Sequence, residues 1–474
     1  MAPEILRNLF LCSGFHVLLL LAFSGIAASQ TIVTKLPGYD GDLPFSLETG
    51  YVGVGDSNHS QLFYYFVESQ RSPSEDPLML WLTGGPGCSV LSAFFYESGP
   101  VGFTYVDYNG SLPSLHYNPY TWTLGLNILY VDAPVGTGFS YSTTPEGYYI
   151  DDLESASQIY EFLKKWLIQH PQYLENILYI GGDSYSGIPL PIIVQKIFDG
   201  NFDEPEPYLN LKGYVLGNPK TDSYIDANSQ VPFAHRLSLI SNELYESATV
   251  SCNGDFVNVD DNNTACVSNI QTIDELLLQI NVMQVVEPNC QAATPRSGKE
   301  YLQRRYLEEN IDESLLSQIE PAYWCRKYNY VLSDIWANDK SVREALNVRN
   351  GTIGVWKRCN ISGLAYAQTV LSSVAYHKNL SNTNLRALIY SGDHDLSITH
   401  IGTQNWIRSL NLTISDIWRA WYVDGQVAGY TEKFTNNDFT LNYATVKGAG
   451  HVAPEYKVKE CYDMIDRWLA YYPL

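Results

Sequence analysis

Gly181-Gly182-Asp183-Ser184-Tyr185-Ser186-Gly187 holds a serine at the tip of what reads as a tight strand-to-helix turn. Gly182 and Ser186 are small, as such a turn requires, because a larger side chain at either place would strike the neighbouring strand or helix. Ser186 stands where the G-x-S-x-G pattern ends in glycine, so the motif is a variant. A serine hydroxyl is a weak nucleophile until a base takes its proton. Ser391-Gly392-Asp393-His394-Asp395 places carboxylates just past an apolar strand, and Gly448-Ala449-Gly450-His451 places a histidine in a glycine-flanked loop near the C-terminus. His451 would take the proton from Ser184, and the acid would hold the imidazole tautomer and stabilise its cation. Asp395 is assigned as that acid. Asp393 competes for the role and would otherwise cap the turn.

Acyl chemistry at a serine also needs donors for the developing oxyanion. Leu82-Thr83-Gly84-Gly85-Pro86-Gly87-Cys88 follows a strand well before the nucleophile, where the first oxyanion loop belongs. The N–H groups of Gly85 and Tyr185 are the expected donors, and losing one such donor costs about 3–4 kcal/mol of transition-state stabilisation. The 9 histidines form no HExxH, the cysteines no CxxC, and neither a strand-borne GxGxxG nor a Walker loop occurs. No metal and no cofactor are expected.

These segments need a scaffold that brings them together. Leu78–Leu82, Asn127–Val131, Ile177–Ile180, Tyr214–Gly217, Leu385–Tyr390 and Thr440–Val446 read as buried strands. Ser155–Gln169 and Ile188–Phe198 have helical patterning, and Tyr462–Leu469 reads as a closing helix. Strands alternating with helices imply a mostly parallel central sheet covered on both faces. Ser, then acid, then His is the chain order of the α/β-hydrolase fold. Between about Thr221 and Tyr330 four cysteines and two charged stretches change the texture, which reads as a helical, disulfide-stapled cap inserted into the core. The expected organisation is a signal peptide at 1–29, core at 30–220, cap at 221–330 and core again at 331–474.

The 474 residues are 45% hydrophobic and 17% charged, ample material for a large core. The net charge of −22 and the absence of a long basic cluster exclude a nucleic-acid partner and disfavour an acidic membrane surface. Arg7, an apolar stretch from Leu9 to Ile26 and small residues at Ala27-Ala28-Ser29 read as a secretory signal with cleavage before Gln30. Retention as a membrane anchor is the alternative, weakened by Cys12, Ser13, Gly14 and His16 within the run. After cleavage no membrane attachment is expected, and the chain should be a monomer or weak oligomer. Removal of the signal leaves seven of the 8 cysteines, enough for three bridges and one free thiol. Asn58, Asn109, Asn262, Asn350, Asn360, Asn379 and Asn411 lie in glycan-acceptor sequons, in keeping with the secretory route.

Taken together, Trp81–Ser89, Gly182–Gly187, Gly392–Asp395 and Gly450–Glu455 resemble the serine carboxypeptidase family, from about residue 34 to the C-terminus. That family contains peptidases and plant acyltransferases that use 1-O-glucose esters as acyl donors. The peptidases carry Asn where this chain has Thr83 and Glu where it has Asp183. With a second Glu matched by Glu97, those residues clamp a peptide's terminal carboxylate, two carboxyls sharing a proton. Asp183 is one methylene shorter than Glu and Thr83 lacks the amide donor, so the clamp is weakened here. Thr83, Gly84, Asp183 and Glu97 are the expected substrate-binding residues.

Thr83–Cys88, Tyr390–Asp395, Tyr328–Val348 with its Trp336-Ala337-Asn338-Asp339, and Gln404–Leu410 are similar to the acyltransferase branch. The resemblance implies transfer of a hydroxycinnamoyl, benzoyl or galloyl group from an acyl glucose to an acceptor alcohol or amine, in plant secondary metabolism. Release of C-terminal amino acids in acid is the alternative. It further implies disulfides Cys88–Cys359, Cys252–Cys266 and Cys290–Cys325, with Cys461 the unpaired thiol, and a secreted or vacuolar location.

Overall fold

Short runs of branched and aromatic residues, punctuated by Gly, Pro and Asn, form the strands of one twelve-stranded mixed sheet. The computed structural model describes residues 30–104, 111–203, 206–289 and 326–474. The expected signal peptide, the Asn109 acceptor and the Cys290–Cys325 bridge lie outside these residues. In chain order the sheet comprises β1 (Thr31–Ile32), β2 (Leu47–Val54), β3 (Ser60–Val67), β4 (Leu78–Leu82), β5 (Asn127–Val131) and β6 (Tyr141–Ser142). It continues with β7 (Leu178–Asp183), β8 (Leu211–Gly217), β9 (Arg386–Gly392), β10 (Thr413–Val423), β11 (Gln426–Asn436) and β12 (Phe439–Val446).

Their spatial order is β1-β2-β3-β5-β4-β7-β8-β9-β12-β11-β10, with β6 paired to β3. The central run β5-β4-β7-β8-β9-β12 is parallel throughout. Antiparallel strands flank it on both sides. This is the α/β-hydrolase architecture. The flanks go beyond the sequence expectation, and β10 shows why: Ile414, Ile417, Trp418 and Tyr422 are exposed, and full burial is confined to Trp421 and Val423 at its end, too short a stretch to impose a pattern.

The helices described are α1 (Leu91–Tyr96), α2 (Asp152–Gln169), α3 (Pro189–Asp203), α4 (Gln230–Arg236), α5 (Asn242–Ser251), α6 (Thr264–Leu277), α7 (Arg326–Asn338), α8 (His400–Ser409) and α9 (Val458–Leu469), with several shorter turns between them. Helix α2 starts where Asp151 accepts from the N–H groups of Leu153 and Glu154, satisfying two donors that a helix start leaves open. It buries Ile159, Phe162, Leu163 and Trp166 with α3 and α8 on one face of the sheet. Trp336 of α7 and Trp468 of α9 belong to the core on the other face.

Between β8 and β9 the chain leaves the sheet. Helices α4 to α6 bury Val231, Ala234, Ala248 and Ile273 in a small core of their own, stapled by Cys252–Cys266. A second disulfide, Cys88–Cys359, ties the loop after β4 to the segment that returns from this insertion toward β9, across a sequence separation of 271. Cys461 is buried and unpaired in α9. Disulfides fit folding in an oxidising compartment. Among the described residues no helix is long and apolar enough to cross a membrane. Asn58, Asn262, Asn350, Asn379 and Asn411 are exposed, whereas Asn360 is half-buried beside the Cys359 bridge.

Candidate active site

Strand β7 ends at Asp183, and Ser184 takes φ 53° before the chain enters a helical turn. Side chains other than glycine rarely adopt that region, at a cost of roughly 1–3 kcal/mol that the surrounding packing must hold in place. Gly182 shows the crowding that makes the turn possible: a Cβ there would meet Leu82 O at 2.8 Å and Ser186 Cβ at 2.8 Å. The turn aims Ser184 Oγ at His451 Nε2, 2.8 Å away. His451 Nδ1 donates in turn to Asp395 Oδ2 at 2.7 Å. Asp395 is fully buried, and its other oxygen accepts from the N–H groups of Ser397 (2.8 Å) and Ile398 (3.1 Å). Asp393 faces elsewhere: it accepts from Gly448 N at 2.6 Å and fastens the histidine loop.

The loop after β4 lies against this elbow. A Cβ on Gly84 would meet Ser184 Cβ at 2.5 Å and Tyr185 N at 2.6 Å, so only glycine fits there. Gly84 N–H donates to Asp183 Oδ1 at 2.9 Å, pinning the loop to the residue before the nucleophile. Gly85 follows at φ 138°, and both Gly85 and Tyr185 line the cleft above Ser184. Thr83, Asp183 and Glu97 line it too. The Thr83 hydroxyl and Glu97 Oε2 are buried without a hydrogen-bond partner.

The electrostatics follow from this enclosure. Burial pushes the Asp183 carboxyl up to about 6, against the pull of Gly84 N–H and His451. Burial, then the charges of Asp183 and Glu455, hold Glu97 well above the usual carboxylate range. For His451, burial opposes the cation, yet the charge and hydrogen bond of Asp395, with Asp183, raise it above the ordinary imidazole value.

Several participants were not evident in the sequence. Asn218, at the end of β8, donates to Asp395 Oδ2 at 2.9 Å and accepts from Gly392 N at 3.2 Å. The general tendency of open α/β sheets to bind at the carboxyl ends of strands was the one signal that could have pointed to it. Asp152 accepts from Tyr185 OH and Tyr366 OH, both at 2.8 Å, and from the N–H groups of Thr369 and Val370, so it anchors the residue after the nucleophile.

A short stretch of the insertion, Val282–Val285, is stitched to both later loops. His451 N donates to Met283 O, Leu396 N and Ser397 N donate to Val282 O, and Val285 N donates to His394 O. Opposite the nucleophile, Tyr330 OH donates to Glu455 Oε2 at 2.7 Å, and the Arg358 guanidinium stacks 4.0 Å over the Tyr330 ring. Together these groups enclose a cleft of about 800 Å³, large enough for two small organic substrates. Among the described residues no group of three or more His, Cys, Asp or Glu side chains is placed to hold a metal ion.

The model of the family described as serine carboxypeptidase matches residues 37–471. The chain belongs to that family. Among curated proteins of Arabidopsis thaliana, Serine carboxypeptidase-like 17 is 46% identical over 460 residues, covering 97% of each chain. Serine carboxypeptidase-like 13 is 44% identical over 458 residues, covering 97% of this chain and 98% of the relative. Among solved structures, Kex1(delta)p, a prohormone-processing carboxypeptidase from Saccharomyces cerevisiae, superposes with a TM-score of 0.68 at 19% identity, covering 92% of this chain and 94% of that one. At that identity the likeness speaks for the fold. Membership places the chain among serine carboxypeptidase-family enzymes.

Proposed function

We propose that the protein is an acyltransferase that moves an aromatic acyl group from a 1-O-glucose ester to an acceptor alcohol or amine. Ser184 Oγ attacks the ester carbonyl carbon while His451 Nε2 takes its proton. The N–H groups of Gly85 and Tyr185 hold the oxyanion, and the tetrahedral intermediate collapses as the same imidazolium protonates the departing glucose oxygen. The acceptor then gives its proton to His451, attacks the acyl-Ser184 carbonyl and leaves as the new ester or amide. Asp395 holds the imidazole tautomer through both halves. Water at ~55 M competes for the acyl-enzyme, so the cleft must supply a high effective molarity of acceptor.

The observation that carries this reading is the polar floor beside Ser184. A terminal carboxylate needs several donors, but Asp183 Oδ1 is already engaged by Gly84 N–H, and Thr83 offers a single hydroxyl. Sugar hydroxyls both donate and accept, and so suit the unpartnered Thr83 Oγ1 and the carboxyl oxygens of Asp183 and Glu97 equally. One feature favours the carboxypeptidase alternative: burial and neighbouring carboxylates raise Glu97, which favours the protonated form that could donate to a carboxylate. The disulfides and sequons support passage through the secretory route, to the vacuole or the cell exterior.

The test presents an acyl glucose, a blocked dipeptide and a pool of acceptor alcohols and amines together to the glycosylated protein in mildly acidic buffer, with Ser184→Ala as control. Ser184-dependent release of glucose with a newly acylated acceptor is expected. Release of a C-terminal amino acid without acyl transfer would establish the peptidase instead.

A further inference from the structure

A second cleft, of about 470 Å³, lies behind the catalytic acid and away from Ser184. One wall is helix α8, whose His400, Gln404 and Arg408 recur at intervals of four and so share one face. The facing wall is the outer sheet, where the rings of Trp418 of β10 and Tyr430 of β11 are stacked, with centres 5.7 Å apart and planes 4° from parallel, both about 40% exposed. Asp393 and His394 form part of its lining, and Arg236 closes one end from α4.

The charges here are not balanced. Among the described residues neither the Arg236 nor the Arg408 guanidinium, both on exposed side chains, makes an ion pair or hydrogen bond, in a chain whose net charge is −22 and whose acids should readily supply partners. Asp393, the acid in the cleft's lining, does not fill that role, because it is turned to Gly448 N. His394 and His400 each bury Nδ1 without a partner. With no acceptor at its buried Nδ1, a neutral His400 carries its proton on Nε2, because an unpaired buried N–H is costly. Burial, then the charges of Arg236 and His394, push His400 down to about 4, which keeps it neutral.

We propose that this cleft is a second binding site, for the carboxylate of a flat aromatic acid. The two guanidiniums and the histidine N–H groups take the carboxylate, in the geometry that suits planar oxyanions. The Trp418–Tyr430 wall takes the ring. An inorganic anion would satisfy the cations but leave the aromatic wall unused. A neutral aromatic would do the reverse. The site is independent of the acyl-transfer reading, because no group in it touches Ser184 or His451.

The test is calorimetry on the Ser184→Ala protein with 2-naphthoate as probe. Saturable binding of one equivalent is expected, with hydrogen-exchange protection over residues 393–408 and 416–432. Arg236→Gln with Arg408→Gln should weaken binding by about tenfold per guanidinium, as the loss of charge-assisted hydrogen bonds implies. Trp418→Leu, at an exposed position, should weaken it through the ring alone, so one of the two variants remains informative if the other misfolds. Unchanged affinity in the Arg double variant, or protection centred on residues 83–97, would place the probe in the Ser184 cleft and overturn the proposal. Equal affinity for inorganic phosphate would overturn the aromatic assignment, and equal affinity for 2-naphthamide would overturn the carboxylate.

Discussion

Replacing Asp395 by Asn isolates what the buried acid does. Four donors converge on this carboxylate: His451 Nδ1 and Asn218 Nδ2 on Oδ2, and the N–H groups of Ser397 and Ile398 on Oδ1. A carboxamide has one acceptor oxygen to meet them. The backbone donors are fixed, so the oxygen stays with Ser397 and Ile398 and the NH2 faces His451 and Asn218. Asn218 is held by Gly392 N and is not free to turn its own oxygen inward. His451 must then offer a lone pair at Nδ1 and carry its proton on Nε2, facing Ser184, where it no longer serves as a base. A wrong tautomer of this kind lowers turnover about 10⁴-fold, close to 5.5 kcal/mol. The opposed donors add about 1–3 kcal/mol of destabilisation. The assay is the pseudo-first-order rate of fluorophosphonate attachment to Ser184, followed by intact mass, beside a thermal melt. Asp393→Asn is the comparison, because a carboxamide oxygen still accepts from Gly448 N; its rate should stay within about tenfold of the parent. A loss of under tenfold for Asp395→Asn, or equal losses for the two variants, would refute the assignment.

Asp183→Asn keeps an acceptor for Gly84 but removes a charge that favours the His451 cation, so the acid limb of the labelling rate should move to lower pH; an unmoved limb would deny that coupling. Asp226 offers a stability test. Burial raises it to about 7 from 3.8, against the N–H groups of Thr221 and Asp222, and its Oδ1 has no partner. A raised carboxyl contributes its stability fully below the unfolded value and loses it as pH rises through the folded one. Relative to Asp226→Asn, the parent should therefore lose about 3 kcal/mol between about pH 4.5 and pH 8, read by denaturant unfolding, and a gain would reverse the sign of the argument. Gly84→Ala forces a Cβ to within 2.5 Å of Ser184 Cβ and should cost at least about 100-fold in labelling rate. Reducing Cys88–Cys359, with its separation of 271, should lower the melting temperature; chain entropy sets an upper bound of about 5–6 kcal/mol.

The parallel strands were legible because both of their faces are covered. Leu78–Leu82 and Asn127–Val131 are buried at every residue and, apart from Asn127, read as unbroken apolar runs. The elbow and the glycine loop were legible because steric demands act locally, on Gly182 and Gly84 themselves. Asn218 was not, since its importance arises from β8 and β9 pairing in parallel, which brings Gly217 opposite Tyr390 and the side chain beside Asp395. Asp152 was hidden for a similar reason. In sequence it is one more acid at a helix start, and its partners Tyr366 and Thr369 lie more than 200 positions away. The hairpin β10–β11 buries only Trp421 and Val423 fully on its first strand, too little for a stripe.

The stitching of Val282–Val285 to the two later loops bears on how the fold could be re-engineered or could diversify. An insertion fastened by backbone hydrogen bonds to the segments carrying Asp395 and His451 is not a lid that swings clear of them. Nor is it a portable module: a chimera that took this stretch from a distant relative would shift the acid and the base together with the wall of the cleft. Exchange should succeed at a position such as Gln368, which lines the cleft but holds neither loop in place, whereas Gln230 donates to Ser397 O and so belongs to the fixed frame. New acceptor preferences would then arise by single substitutions on a fixed frame.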